Sequence, residues 1–246
     1  VKRAAAPHLA LLRLETRFTR LPGDAGRADS WPMPVRVVEV HGATAARVVR
    51  AGGSDEALLA PFVAAARAAA AEGAAGITTS CGFLVRFQAA LEAAVPVPVW
   101  TSALLALPAL HAAGRTPGVL TASATALSPA DLRAAGGRGD EPVEGLPAGG
   151  HLQRVLLGDP ARPPEALPEA LPEALHDAEA RAEVLAAARA LVRRAPAVDT
   201  LVLECTNLPP YADDIAAATG RPVHHLVPFV HAMWARRFAA PAGRAP

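Results

Sequence analysis

Two apolar runs in this chain end in the same way. Residues 77–80 (Ile-Thr-Thr-Ser) lead into Cys81-Gly82-Phe83, and residues 200–204 (Thr-Leu-Val-Leu-Glu) lead into Cys205-Thr206-Asn207. Each run has the length and composition of a buried strand, and each is followed by a stretch with helical spacing. A strand that turns directly into a helix belongs to an α/β sheet. It holds the residue at the turn on the carboxyl edge of the sheet, where such folds bind ligands. The two cysteines stand 124 residues apart, about half of the 246-residue chain, and no other cysteine is present. The spacing therefore points to two similar α/β halves, each bringing one thiol to a cleft between them. The N–H groups at a helix start favour a thiolate, so thiolate chemistry is expected at both turns.

The remaining segments fit that plan. In the first half, residues 9–14 and 35–40 read as strands. Ser54 is a candidate N-cap for a helix over residues 55–72, with acidic residues in its first turn. A helix over 83–94 turns Phe83, Phe87 and Leu91 inward, and a strand at 96–100 precedes a helix to residue 113. In the second half, residues 118–121, 154–157, 199–204 and 221–226 read as strands. Ser128-Pro129 opens a short helix closed by Gly136-Gly137. Residues 138–150 read as a loop. Three tandem copies of Pro-Glu-Ala-Leu over residues 164–175 form a low-complexity insert, because their period is far below the 20 or more residues of a solenoid repeat. Helices are expected to follow, up to residue 194, over 208–219 and over 228–238.

Composition removes several function classes. The net charge is +1 with scattered arginines, and aromatics make up 4%, which leaves neither an electrostatic surface nor a stacking platform for nucleic acid. Apolar stretches are interrupted well short of the roughly 20 residues that span a bilayer, so no membrane partner is expected. Residues 1–14 make a poor signal peptide, so a cytoplasmic location is expected, with both cysteines reduced and a disulfide between them the minor alternative. No His/Cys/Asp spacing suits a metal, and no Gly-x-Gly-x-x-Gly follows a strand, so neither metal nor cofactor is expected.

The turn Glu204-Cys205-Thr206-Asn207 is similar to the Gly-Cys-Thr turn of the aspartate/glutamate racemase superfamily. Cys81-Gly82-Phe83 stands where that family has Cys-Asn-Thr. Glu15-Thr16 resembles the family's Asp-Ser after the first strand, and residues 119–125 (Val-Leu-Thr-Ala-Ser-Ala-Thr) resemble its Leu-Ala-Thr-x-x-Thr strand end. The resemblance implies two pseudo-symmetric domains, each a mostly parallel sheet flanked by helices, with the active-site cleft between them. The bounds it suggests are residues 1–113 for the first domain and 114–207 for the second, with the insert near 160–175 and residues 208–246 returning to the first domain.

By that resemblance the chain is expected to be a cofactor-independent isomerase of amino-acid metabolism. It would be a racemase or epimerase of an α-chiral carboxylate, in which Cys81 and Cys205 take and return the α-proton on opposite faces. Substrate-binding candidates are Glu15, Arg17, Thr79, Ser80, Gly82, Phe83, Thr121, Thr125, Thr206 and Asn207. The partner is a small carboxylate, and a homodimer is compatible with the reading. Alternatives on the same fold are a hydantoin racemase, an arylmalonate-type decarboxylase, a maleate-type isomerase, or a non-catalytic ligand-binding protein. Decarboxylation would need only one proton-donating cysteine. His224 and His225 are expected to be structural.

Overall fold

The computed structural model describes residues 6–53, 55–158 and 178–238. The expected Ser54 cap, the Pro-Glu-Ala-Leu insert and the last residues lie outside them. The first half starts with β1 (His8–Glu15) and β2 (Val35–Thr44), followed by a short helix α1 (Ala45–Val48). Next come α2 (Leu59–Ala71), β3 (Ala74–Thr79), α3 (Gln88–Ala94), β4 (Val99–Trp100) and α4 (Leu107–Ala112). The second half carries β5 (Pro117–Thr121), α5 (Pro129–Ala134), β6 (Val143–Gly145), α6 (His151–Leu157) and α7 (Ala178–Arg194). It closes with β7 (Thr200–Leu203), α8 (Ala212–Thr219), β8 (Val223–His224) and α9 (Leu226–Phe238).

Each half contains one four-stranded sheet. The orders are β2-β1-β3-β4 and β6-β5-β7-β8, and every pair is parallel. Renumbered within its own half, each sheet has the same 2-1-3-4 order, so β3 and β7 are equivalent strands. Their equivalence is why Cys81 and Cys205 occupy matching places. Parallel strands covered on both faces need continuous apolar sequence. Residues 9–12 of β1 and all of β7 are buried accordingly. Two apolar clusters follow from the two sheets. Phe62, Leu58, Ile77 and Leu91 belong to the first, and Val184, Leu191, Leu201 and Ile215 to the second. Each such side chain stabilises the fold by roughly 1.5–3 kcal/mol on burial. β8 extends the second sheet, whereas Leu226, Val230 and Trp234 of α9 join the first cluster.

Two sequence expectations are corrected. Residues 154–157 are helical, not a strand. Leu152 and Leu156, four apart, both bury against α7, so the apolar run is one face of a helix. The segment 138–150 is not all loop, because Val143–Gly145 pairs in register with β5 as an edge strand. Several expected helices also begin as a 3₁₀ turn, notably Gly82–Phe87 before α3. The helix at Pro129 has the Ser128–Asp131 capping box.

Candidate active site

The cleft between the halves is built on the two cysteine turns. Its lining includes Leu14, Phe18, Arg20, Val49, Ser80, Cys81, Gly82, Phe83, Leu156, Leu157, Glu204, Cys205, Thr206 and Asn207, around an empty space of about 380 Å³ that includes its mouth. Cys81 ends in extended backbone (φ −152°, ψ 120°) at the start of the 3₁₀ turn, and both thiols are free. The two sulfurs belong to different apolar clusters and meet the same cleft from opposite halves.

Main-chain and side-chain bonds across the cleft fix its two walls. Thr206 Oγ1 donates to the Ser80 carbonyl at 2.6 Å, and the Ala25 N–H donates to the Thr206 carbonyl at 3.1 Å. Asn207 Nδ2 donates to Asp24 Oδ2 at 2.6 Å, while Asp24 Oδ1 pairs with Arg20 Nη1 at 2.8 Å. Ser80 Oγ accepts the Leu14 N–H at 3.0 Å, which ties β1 to the Cys81 turn.

The two thiols have matching first contacts. Cys81 receives a backbone hydrogen bond from Phe83, and Cys205 receives one from Asn207, in each case two residues on. Both contacts favour a thiolate, yet the thiols are not depressed. Burial and then the nearby Glu204 push Cys81 up to about 12 and raise Cys205 well above its usual value. This corrects the expectation of thiols made acidic by helix starts: desolvation in a closed cleft outweighs one or two N–H dipoles. Arg20 and Arg86 pull Cys81 down, whereas Cys81 and Asp24 push Cys205 further up, so the field at Cys81 is the more favourable to a thiolate.

Glu204 is the group that the resemblance passed over. Its side chain is fully buried, and burial raises its carboxyl to about 8. Thr121 Oγ1 donates to Oε2 at 2.6 Å, while Oε1 has no hydrogen-bond partner. Gly82 makes room for it. A Cβ at position 82 would press on the Glu204 carbonyl oxygen and lie 2.5 Å from Oε1. Gly82→Ala is therefore expected to lower stability by roughly 1–3 kcal/mol in urea unfolding, because backbone of the facing turn must move. An unchanged unfolding midpoint would show that the two turns are not in contact there.

The sequence candidates divide into those the cleft gathers and those it does not. Ser80, Gly82, Phe83, Thr206 and Asn207 line it with both cysteines. Thr79 is buried behind it, where its hydroxyl donates to the Thr101 carbonyl at 2.7 Å, and Thr121 reaches the cleft only through Glu204. Glu15, Arg17 and Thr125 are not among the residues that line this space. The register of β1 shifts between Leu14 and Glu15, and Glu15 meets His41 of β2 at 3.1 Å on the sheet edge. Arg17 is exposed, whereas Arg20 is buried and lines the cleft. Thr125 is exposed and belongs to a separate hollow with Glu144 and Gln153. The signal that could have found Arg20 is its i,i+4 spacing from Asp24. His224 and His225 lie outside the cleft lining, and burial drives His225 down to about 4.

No family model matches the chain. It is 31% identical over 235 residues to a dimethylsulfoniopropionate lyase from Durusdinium sp. clade D, covering 89% of this chain and 71% of that protein. It is 28% identical over 223 residues to dimethylsulfoniopropionate lyase 7 of Emiliania huxleyi (strain CCMP1516), covering 88% of this chain and 63% of the relative, so it spans less than two thirds of that protein. Among solved structures it resembles unliganded arylmalonate decarboxylase, with a TM-score of 0.56, 17% identity and coverage of 98% and 97% of the two chains. Glutamate racemase from Francisella tularensis subsp. tularensis SCHU S4, solved with D-glutamate, gives a TM-score of 0.55 at 11% identity, covering 98% of this chain and 85% of that one. The chain therefore has the fold shared by arylmalonate decarboxylase and glutamate racemase. The curated relatives are lyases, which corrects the expectation of an isomerase, a racemase or epimerase serving amino-acid metabolism. Among the described residues, no helix is long and apolar enough to cross a membrane.

Proposed function

We propose that this chain, which belongs to the dimethylsulfoniopropionate lyase family, is itself a carbon–sulfur lyase acting on a β-sulfonium carboxylate. The observation that carries the reading is the 31% identity to a lyase of that name over 89% of the chain. The chemistry follows from the substrate that the relatives' name describes. A dimethylsulfonium group sits on Cβ and a carboxylate on Cα. A base removes one Cα proton, the carbon–hydrogen electron pair becomes the Cα–Cβ double bond, and the Cβ–S bond breaks toward sulfur. The products are acrylate and dimethyl sulfide, with the proton left on the base and passed on to water.

Elimination asks less of the two thiols than racemisation does. Dimethyl sulfide departs neutral and needs no proton, so one thiolate suffices as base. In this reading Cys81, placed in the more favourable field, takes the proton, and the Cys205 thiol donates toward the charge that develops as the proton leaves. Arg20, with its Nε buried and unpartnered, and the backbone N–H groups of the two turns offer positive ends for the substrate carboxylate. The walls Phe18, Phe83, Leu156 and Leu157 exclude water around the reacting carbons.

Incubation of the purified chain with dimethylsulfoniopropionate tests the reading. Dimethyl sulfide in the headspace and acrylate in solution are expected in equal amounts. No release over a no-protein control would remove the lyase reading.

A further inference from the structure

The elimination leaves Glu204 unused. It is a fully buried carboxyl in the cleft lining, and one of its oxygens has no partner. Burying a polar oxygen without a partner costs free energy that a neutral apolar residue would not. The surroundings nevertheless hold it in place. Thr121 fixes Oε2, and the missing side chain at Gly82 gives Oε1 its space against the Cys81 turn. Arg86 favours the charged form of Glu204 through its field, but Oε1 has no hydrogen-bond partner. Arg86 is committed to Asp131 through Nε at 2.6 Å and Nη2 at 2.9 Å, and to the Ala126 carbonyl at 2.6 Å. The same cleft offers apolar wall from Leu14, Val49, Phe83, Leu156 and Leu157, alongside the polar Thr16, Arg20, Ser80, Thr206 and Asn207.

We propose that Glu204 is the counter-charge for the cationic end of the substrate: its unpartnered Oε1 receives the sulfonium group, whose methyls pack on the apolar walls. This makes Glu204 a specificity-determining residue that selects a cationic carboxylate over a neutral one of the same shape, and it rests on the lyase reading for the identity of the cation. An ionised carboxylate suits a sulfonium group, whose fixed charge has no N–H or O–H to donate and is met by charge alone.

The same pairing bears on the thiols. Glu204 disfavours a thiolate at both Cys81 and Cys205. Where Glu204 is ionised, a cation set against it offsets that charge at both thiols. The groups facing Glu204 are the two cysteines from the turns, Thr121 from β5, Arg86 from the 3₁₀ turn, and Asp131 from α5. Since burial holds the Glu204 carboxyl near 8 in the empty cleft, binding of the cation at pH 7 is expected to release a proton.

The test uses two isosteres on the full chain: 3-(trimethylammonio)propionate, whose amine leaves poorly, and its neutral carbon counterpart, 4,4-dimethylpentanoate. By calorimetry at pH 8 the wild type is expected to bind the ammonium compound at least about tenfold more tightly than the neutral one. In Glu204→Gln the preference is expected to shrink to within about threefold, with the affinity for the neutral compound unchanged, which also reports that the variant is folded. Titrations in two buffers at pH 7 are expected to show proton release with the ammonium compound for the wild type and none for the variant. Equal affinities in the wild type would overturn the proposal without recourse to any variant, and so would a preference that survives in Glu204→Gln. The two readings fail separately. A chain that keeps a Glu204-dependent preference but releases no dimethyl sulfide loses only the lyase reading. One that releases it with no such preference loses only this site.

Discussion

Alanine at Cys81 is expected to lower kcat for dimethyl sulfide release by roughly 10²–10⁴, the usual worth of a positioned base, with KM changed little. Alanine at Cys205 is expected to cost roughly 10²–10³, the worth of one donor aimed at developing charge. The roles differ because the field differs. Arg20 and Arg86 oppose the burial of charge at Cys81, whereas Asp24 adds to it at Cys205. Serine then separates base from donor. A hydroxyl still donates, so Cys205→Ser should recover part of what Cys205→Ala loses. Cys81→Ser should recover nothing, because a serine hydroxyl ionises far less readily than a thiol and supplies no anionic base. Rates within about threefold of wild type for Cys81→Ala would place the base elsewhere. The serine substitutions keep the side-chain volume close to that of cysteine, so a lost rate there can be checked against an unchanged unfolding curve.

The second large effect concerns stability. The Glu204 carboxyl is raised from 4.5 to about 8 by burial, with Thr121 and Arg86 opposing the shift. The folded chain therefore holds this proton more tightly than the unfolded chain does. Stability tied to that proton is fully present below pH 4.5, drains away as pH rises, and is gone above about 8. At about 1.4 kcal/mol per unit, a shift of this size corresponds to at most roughly 5 kcal/mol. Glutamine keeps the shape and the acceptor for Thr121 but carries no charge. Glu204→Gln is expected to be close to wild type in unfolding free energy at pH 5 and several kcal/mol more stable at pH 9. A difference that does not change between those pH values would mean that Glu204 is not the buried titrating group. Gained stability with lost selection for a cation is the trade-off expected where a charged group is buried for function and not for folding.

Much of the fold could be read from the sequence because its signals are local. Apolar runs of strand length, helical spacing and the two matching cysteine turns together imply parallel sheets and two equivalent halves. The misreadings have local causes too. Residues 154–157 (Arg-Val-Leu-Leu) hold a three-residue apolar run that suits either structure, and only the partner at Leu152 reveals the helix. Val143–Gly145 is a three-residue edge strand hidden among Gly, Pro and acidic residues, and its pairing with β5 is a tertiary fact.

The site was legible where it is contiguous with the cysteines, as for Ser80, Gly82, Phe83, Thr206 and Asn207. Arg20 and Glu204 were not legible as site residues. Arg20 depends on the path of the loop after β1, and Glu204 stood out only as a departure from the Gly that precedes the second cysteine in the resembling family. The reaction was the least legible part. Two thiols across a cleft can serve proton removal whatever follows it, and the outcome depends on whether the substrate carries a leaving group on Cβ.

The most direct measurement is to run wild type and the Cys81→Ala/Cys205→Ala double variant on dimethylsulfoniopropionate in deuterated water, and to follow dimethyl sulfide, acrylate and residual substrate together by NMR. The account predicts equal amounts of dimethyl sulfide and acrylate from the wild type and none above background from the double variant. Equal release from both proteins would contradict it, and so would deuterium entering the substrate at Cα with no product formed.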